Sequence, residues 1–105
     1  MEQPNLNYIN QLAADSEEFK IKMISIIKKE LPLEIAIYQK QLENNDYKLT
    51  AESVHKLKHK ISILGLEKSY FIAEEFEDNL KEKSLTLKEE FENILNLMTT
   101  FVENL

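Results

Sequence analysis

Residues 54–66 read VHKLKHKISILGL, and this stretch decides the fold because its apolar residues recur every three or four positions. At 100° per residue these residues fall on one side of a helix, centred about 140° from His55. They are Val54, Leu57, Ile61 and Leu64. Gly65, the only glycine in the chain, is placed to end this helix in a left-handed backbone conformation. The stretch therefore predicts a helix with one apolar side and with His55 on an exposed or half-exposed side.

Two helices are predicted on the N-terminal side of this stretch. A short first helix over residues 5–14 begins at an asparagine, which is a good helix cap. Asp15 with Glu18 resembles a capping box and predicts the start of a long second helix. Because proline lacks a backbone donor, we expect this helix to kink or restart at Pro32. It ends at the polar turn of residues 44–46, which reads Asn-Asn-Asp.

Three helices are predicted from there to the C-terminus. Thr50 is suited to cap the third helix, the fourth runs over Glu67–Glu82, and Thr86 with Glu89 forms a capping box for the last. The apolar residues of the last helix form one stripe: Phe91, Ile94, Leu95, Met98, Phe101, Val102 and Leu105. One glycine and two prolines leave few residues for hairpin turns. The sequence therefore predicts an all-α fold, an antiparallel four-helix bundle with an additional short N-terminal helix, in a single domain over residues 1–105.

The composition restricts the class of protein. A chain of 105 residues can form one core without disulfides or metals, and the absence of cysteine excludes disulfides and thiolate metal sites. The formal charge of -6 argues against a broad nucleic-acid or anionic-membrane surface. No basic region followed by an apolar segment opens the chain, and no apolar run approaches about 20 residues. We expect a cytoplasmic, stand-alone protein with no nucleic-acid or membrane partner.

The chemistry of the chain is concentrated at His55. A neutral imidazole nitrogen can accept a phosphoryl group and later donate it. Lys58 lies one turn away and can offset the phosphoryl charge. The chain has no glycine-rich phosphate loop, so we expect it to have no ATP site of its own. By residue type alone, two solvated histidines on a lysine-rich face are the commoner case. If His55 does accept a phosphoryl group, the chain is a phosphohistidine carrier that depends on a partner for its reaction and is not itself an enzyme.

The spacing around His55 resembles the histidine-containing phosphotransfer (HPt) domain family. That family has a histidine, a lysine at +3, small residues at +4 and +7, a glycine at +10 and a hydrophobic-Glu pair near +21. The matching positions here are His55, Lys58, His59, Ser62, Gly65 and Phe76-Glu77. The resemblance extends over most of the chain, including the Glu-Leu-Pro of residues 30–32 within a long helix and the acidic turn of residues 42–46.

The resemblance implies a function and a set of site residues. His55 would relay phosphoryl groups to and from receiver-domain aspartates, with Mg²⁺ bound by the receiver and no cofactor bound by this chain. An upstream hybrid histidine kinase and a monomeric state are also implied. Lys58 would stabilise the phosphoryl charge, while Gly65 and Ser62 would be structural. The residues expected to face a partner are His59, Leu66, Ile21 and Ile24, although the two isoleucines could instead be buried against the first helix.

Three alternatives follow from the same residues. His59 stands where the family usually has glycine, and a degenerate domain would be a helical adaptor that binds signalling partners without phosphotransfer. His55 and His59 could also share Zn²⁺ with Glu52, although the lysines of residues 56–60 repel a cation. A histidine-kinase dimerisation domain is disfavoured, since Lys56 follows the histidine where an acidic residue is usual. The acidic residues of the fourth helix are predicted to form a solvated face.

Overall fold

The computed structural model describes residues 2–105, and all regular secondary structure in that range is α-helical. The helices are α1 (Asn7–Ala13), α2 (Glu17–Glu43), α3 (Tyr47–Ile63), α4 (Glu67–Lys81) and α5 (Lys88–Glu103). The prediction of an all-α protein is therefore confirmed. Within these residues, no helix combines the length and the apolar character that crossing a membrane requires.

The caps of α2 and α3 differ from those predicted. Ser16 caps α2, and its hydroxyl accepts a hydrogen bond of 3.2 Å from the backbone N–H three residues on, so the prediction of Asp15 is wrong. Asp46 caps α3 in the same way, at 3.0 Å. Thr50 lies inside the first turn of α3 and donates its hydroxyl to the backbone oxygen of Asp46 at 2.7 Å. The turn of residues 44–46 is so short that α3 begins one turn earlier than its threonine suggests.

The starts of α1 and α5 also differ from the sequence prediction. Asn5 does accept a hydrogen bond from the backbone N–H of Asn7 at 3.0 Å, but Leu6 occupies the cap position. Thr86 does not cap α5, because its hydroxyl accepts a hydrogen bond from a neighbouring serine instead. Leu87, in a left-handed conformation with φ of 77°, directly precedes α5. The loop before α5 thus satisfies its polar groups internally and leaves none for a capping box.

α2 is a single helix that runs through Pro32 without interruption. Of the two outcomes predicted at Pro32, a kink or a restart, the restart is therefore wrong. α2 is held in place on both sides of the proline, since the ammonium of Lys60 on α3 contacts Glu30 (2.9 Å) and Glu34 (3.3 Å). Leu31 is fully buried beside them. These tertiary contacts offset the backbone hydrogen bond that proline removes.

The core lies where α2, α4 and α5 converge on three aromatic rings. The ring centroid of Phe91 is 5.3 Å from that of Tyr38 and 5.2 Å from that of Phe76, and all three side chains are fully buried. The apolar residues that predicted α3 are also fully buried: Val54, Leu57, Ile61 and Leu64. One side of α3 is thereby fixed against the core, so its opposite side, which bears His55, faces solvent.

Gly65 ends α3 in the left-handed conformation, with φ of 76°. A Cβ at this position would lie 2.7 Å from the side-chain amide of Asn5, so that amide would have to move. The backbone N–H of Asn5 donates to the carbonyl oxygen of Leu64 at 2.8 Å. Glycine is required here because the N-terminal segment crosses the end of α3 at close range.

Candidate functional site

His55 lies in the middle of α3, and 55% of its side chain is exposed. Its two neighbours in the α3 core stripe, Val54 and Leu57, are fully buried and fix the rotation of the helix. Because these neighbours face the core, the imidazole is presented on the solvent side of α3. A second protein can therefore reach it.

One nitrogen of His55 is held by a carboxylate on α4. Nδ1 lies 3.2 Å from Oε2 and 3.3 Å from Oε1 of Glu77. An ionised carboxylate can only accept hydrogen bonds, so we assign the proton of the neutral ring to Nδ1. In that tautomer Nε2 carries the lone pair. The contact with Glu77 thus selects the nitrogen of His55 that can act as a nucleophile.

Glu77 is buried between α3 and α4 and is surrounded by donors. Its Oε1 lies 2.9 Å from Nζ of Lys58, and its Oε2 lies 3.4 Å from Nζ of Lys81. Burial alone would raise the pKa of Glu77, but the hydrogen bonds from Lys58 and His55 and the charge of Lys58 outweigh it and hold this pKa below its usual 4.5. Glu77 is therefore ionised at neutral pH.

Lys58 extends into the interface between α3 and α4, and only 8% of its side chain is exposed. Besides Glu77, its ammonium lies 3.9 Å from Glu74 and 5.4 Å from the ring centroid of Tyr70. Burial tends to lower the pKa of Lys58, but the hydrogen bond and the charge of Glu77 raise it above its usual 10.5. In this structure the ammonium is thus directed at Glu77, where it maintains the carboxylate that holds His55.

The exposed side of α3 continues from His55 to His59. The two ring centroids are 5.4 Å apart, and the ring planes meet at 86°. Beyond His59 a groove of about 400 Å³ runs between α3 and α4, lined by His59, Ser62, Glu67, Tyr70 and Phe71. Ser62 is exposed, and Phe71 projects from the rim with 67% of its surface accessible. His59 thus borders a groove with an aromatic edge.

Of the other residues predicted to face a partner, one is buried and two lie far from His55. Leu66, expected on the surface, is fully buried, because the turn at Gly65 directs it into the core at the start of α4. Ile21 is exposed and Ile24 is half-buried. Lys60 contacts Glu30 and Glu34, so the two isoleucines lie about 20 Å along α2 from the level of His55. Neither of them borders the histidine.

Three residues to which the sequence assigned no role at the site lie on the helices that flank α3. The contacts of Lys60 place His55 opposite the segment of α2 that bears Leu33 and Ile37, which are 58% and 54% exposed. Glu77 was grouped with the solvated acidic face of α4, yet it is the buried member of that group. Its position next to Phe76 and three residues before Leu80, both in the core, was the available signal.

The metal alternative has no preformed site in the part of the chain that the structure describes. Residues 2–105 contain no group of three or more histidine, cysteine, aspartate or glutamate side chains placed to hold a metal ion. His55 already has one nitrogen engaged with Glu77, and its only close histidine is His59.

Comparisons of this chain with protein-family models, with curated proteins and with solved structures find no match. The resemblance to the phosphotransfer family therefore stays a prediction. The functional argument rests on the geometry of His55, Glu77 and Lys58.

Proposed function

We propose that this chain is a phosphorelay intermediate that carries a phosphoryl group on His55. The supporting observation is the contact between Nδ1 of His55 and the buried carboxylate of Glu77. That contact leaves Nε2 with its lone pair on an exposed side chain. A histidine that served only as a solvated surface residue would not need a buried, charge-paired acceptor for its second nitrogen.

The transfer step follows from this geometry. Nε2 of His55 attacks the phosphorus of an aspartyl phosphate on a partner, the N–P bond forms, and the P–O bond to the aspartate breaks. The bonding electrons leave with the aspartate as a free carboxylate. The ring then carries a positive charge with its proton still on Nδ1, and the adjacent carboxylate of Glu77 stabilises that charge. The reverse step returns the phosphoryl group to a receiver.

Lys58 supports this reaction electrostatically. Its ammonium, 2.9 Å from Glu77, favours the ionised carboxylate and so keeps the acceptor for Nδ1 in place. In the proposal Gly65 is structural, since it ends α3 at the close approach of the N-terminal segment. Ser62 contributes to the groove beside His59 and leaves room for a partner.

The proposed partners are receiver domains of response regulators, with a hybrid histidine kinase upstream. The receiver would supply the Mg²⁺ and the aspartate, because this chain needs only to present a nucleophile. The proposal includes a monomeric, antiparallel four-helix bundle with α1 as an additional helix, acting in the cytoplasm. Exposed apolar residues on α2 and α4, the helices that flank α3, would contact the receiver: Leu33, Ile37 and Phe71.

The test is incubation of the chain with a ³²P-phosphorylated receiver and Mg²⁺, followed by acid and alkali treatment. We expect label on this chain that is acid-labile and alkali-stable, as phosphohistidine is. His55→Gln should carry no label, and Lys58→Ala should be labelled more slowly with its helical circular dichroism retained. Label that persists in His55→Gln would disprove the site assignment, and no transfer from any receiver of the source organism would disprove the relay.

The alternative function is a helical adaptor that binds signalling partners without phosphotransfer. It is favoured by apolar residues that are exposed on α2 and α4 and would serve docking equally well: Leu33, Ile37 and Phe71. The adaptor predicts that a receiver binds His55→Gln as tightly as the unchanged chain and that no label is transferred to either. Titration calorimetry beside the labelling experiment separates the two functions.

A further inference from the structure

We infer that His59 contacts the phosphoryl group carried on His55, donating a ring N–H to one of its oxygens. This inference rests on the proposed function, since it concerns the phosphorylated form of the same site. It assigns to His59 the contact that the sequence analysis assigned to Lys58.

The position of Lys58 keeps its ammonium away from a phosphoryl group on His55. Its side chain is almost completely buried, and its ammonium lies within 2.9 Å of Glu77 and 3.9 Å of Glu74. Moving it to a phosphoryl group on the exposed nitrogen of His55 would leave Glu77 buried without its closest cation. Breaking a buried charge pair in this way is costly. The ammonium therefore stays with Glu77, and the phosphoryl oxygens need another donor.

The position of His59 places a second imidazole next to His55. It lies one turn after His55 on the same exposed side of α3, with the ring centroids 5.4 Å apart. With the rings this close, a phosphoryl group on Nε2 of His55 would lie within reach of the His59 side chain. A neutral imidazole always has one N–H to donate. His59 can therefore reach a phosphoryl oxygen without a change of the backbone.

The other donors nearby are less well placed. Ser62 lies two turns from His55, which is about 10 Å along the helix axis. Lys56 points about 100° away around α3. The ammonium of Lys81 is 3.4 Å from Glu77 and thus shares the carboxylate with Lys58. Of the exposed donors on α3, His59 alone combines the spacing and the direction that the contact requires.

A donor at His59 would stabilise the phosphorylated state. In hydrolysis of that state, the N–P bond breaks, water adds to the phosphorus, and the products are inorganic phosphate and a neutral imidazole. A hydrogen bond to a charged oxygen is stronger than one between neutral groups. We expect its loss to make the phosphohistidine hydrolyse about fivefold faster.

The experiment uses chemical phosphorylation, which needs no partner. Potassium phosphoramidate transfers its phosphoryl group to Nε2 of His55, with cleavage of its N–P bond and release of ammonia. ³¹P NMR then follows the decay of phosphohistidine at pH 8 in the unchanged chain, His59→Ala and His59→Gln. We expect an approximately fivefold shorter half-life in His59→Ala and recovery of most of the half-life in His59→Gln, whose amide can donate. Lys56→Ala, an exposed neighbour, is the control and should decay at the unchanged rate.

A second readout detects the contact itself. In ¹⁵N-labelled chain, phosphorylation should shift the ring N–H resonance of His59 downfield, and this shift should vanish in His55→Gln. Equal half-lives in all variants, label on His59, or no phosphorylation of His55 by the reagent would each overturn the inference. Because the reagent replaces the receiver, absence of relay would leave this result unaffected, so failure of the proposed function and failure of the inference are distinguishable.

Discussion

Glu77 organises the site at the scale of single residues. Its carboxylate is in contact with His55, Lys58 and Lys81, so one buried group fixes the tautomer of the histidine and holds the buried ammonium. Either charge alone would be unstable in this buried interface, so the carboxylate of Glu77 and the ammonium of Lys58 stabilise each other. The site is thus a coupled unit, in which the exposed histidine depends on a buried ion pair.

Glu77→Gln should lower the free energy of unfolding by about 2 to 3 kcal/mol at pH 7, because it removes the closest counter-charge of the buried Lys58 ammonium. It should also change the acid dependence of stability. The pKa of Glu77 is lowered from 4.5 in the folded state, so its contribution is present above pH 4.5 and is lost as the pH falls through the lower folded value. Urea unfolding between pH 2 and pH 7 measures both effects.

Glu75→Gln is the control for that experiment, since Glu75 is an exposed acidic residue of the same helix. It should change the free energy of unfolding by less than about 0.5 kcal/mol. An acid dependence in Glu77→Gln as steep as that of the unchanged chain would show that the ion pair does not contribute to stability.

At the scale of secondary-structure elements, the junction between α3 and α4 is fixed by the N-terminal segment. The carboxylate of Glu2 accepts hydrogen bonds from the backbone N–H groups of Lys68 (2.9 Å) and Ser69 (3.0 Å) at the start of α4. Asn5 covers Gly65 and donates its backbone N–H to the end of α3. These contacts set the position of α4 relative to α3, and therefore the distance between Glu77 and His55.

Gly65→Ala should lower the free energy of unfolding by about 2 kcal/mol. A left-handed conformation costs a residue with a Cβ about 1 kcal/mol or more, and the added carbon would lie 2.7 Å from the Asn5 amide. Thermal and urea unfolding measure the change. In an Asn5→Ala background, the same glycine substitution should cost less because the steric part is gone. Equal costs in both backgrounds would show that the close approach of Asn5 is not what requires glycine.

At the scale of the whole molecule, an aromatic cluster joins α2 and α5 to α4, the helix that bears Glu77. Tyr38 of α2 and Phe76 of α4 both contact Phe91 of α5, and the hydroxyl of Tyr38 donates to Glu92 at 3.0 Å. The core thus maintains the relative positions of α2, α3 and α4, on which the surface around His55 depends.

Phe76→Ala should lower the free energy of unfolding by about 4 kcal/mol, because it removes a fully buried ring from this cluster. The melting temperature should fall by roughly 15 °C or more, as calorimetry would show. Phe71→Ala is the matched control on the same helix. Its ring is 67% exposed, so we expect a change within about 0.5 kcal/mol.

If Phe76→Ala does not fold, Phe76→Leu provides the same comparison with a smaller loss of volume. Suppose that Phe76→Leu leaves the melting temperature unchanged while Phe71→Ala lowers it strongly. The side of α4 that packs into the core would then be the one that bears Phe71, contrary to the structure.

The sequence by itself determined the helical class, the turn at residues 44–46 and the rotation of α3. Apolar spacing in α3 is a local property of the chain, so Leu57 and Ile61 are buried and His55 is exposed as that spacing predicts. Gly65 could likewise be assigned from its position, since a left-handed residue after a helix is a local requirement. Capping was predicted less well, because Ser16, Asp15 and Thr50 are all suitable caps and the lengths of the turns decide among them.

Only the tertiary structure decided how the site is assembled. The sequence places Glu77 next to core residues of α4, but the partners that its carboxylate meets depend on how α4 packs against α3. The direction of the Lys58 ammonium and the burial of Leu66 have the same origin. These are contacts between residues distant in sequence. The periodicity of a helix shows which side is buried, but not which residues of other helices that side contacts. The apolar spacing of α3 thus places His55 on the exposed side, and the packing of α4 against α3 brings the carboxylate of Glu77 to it.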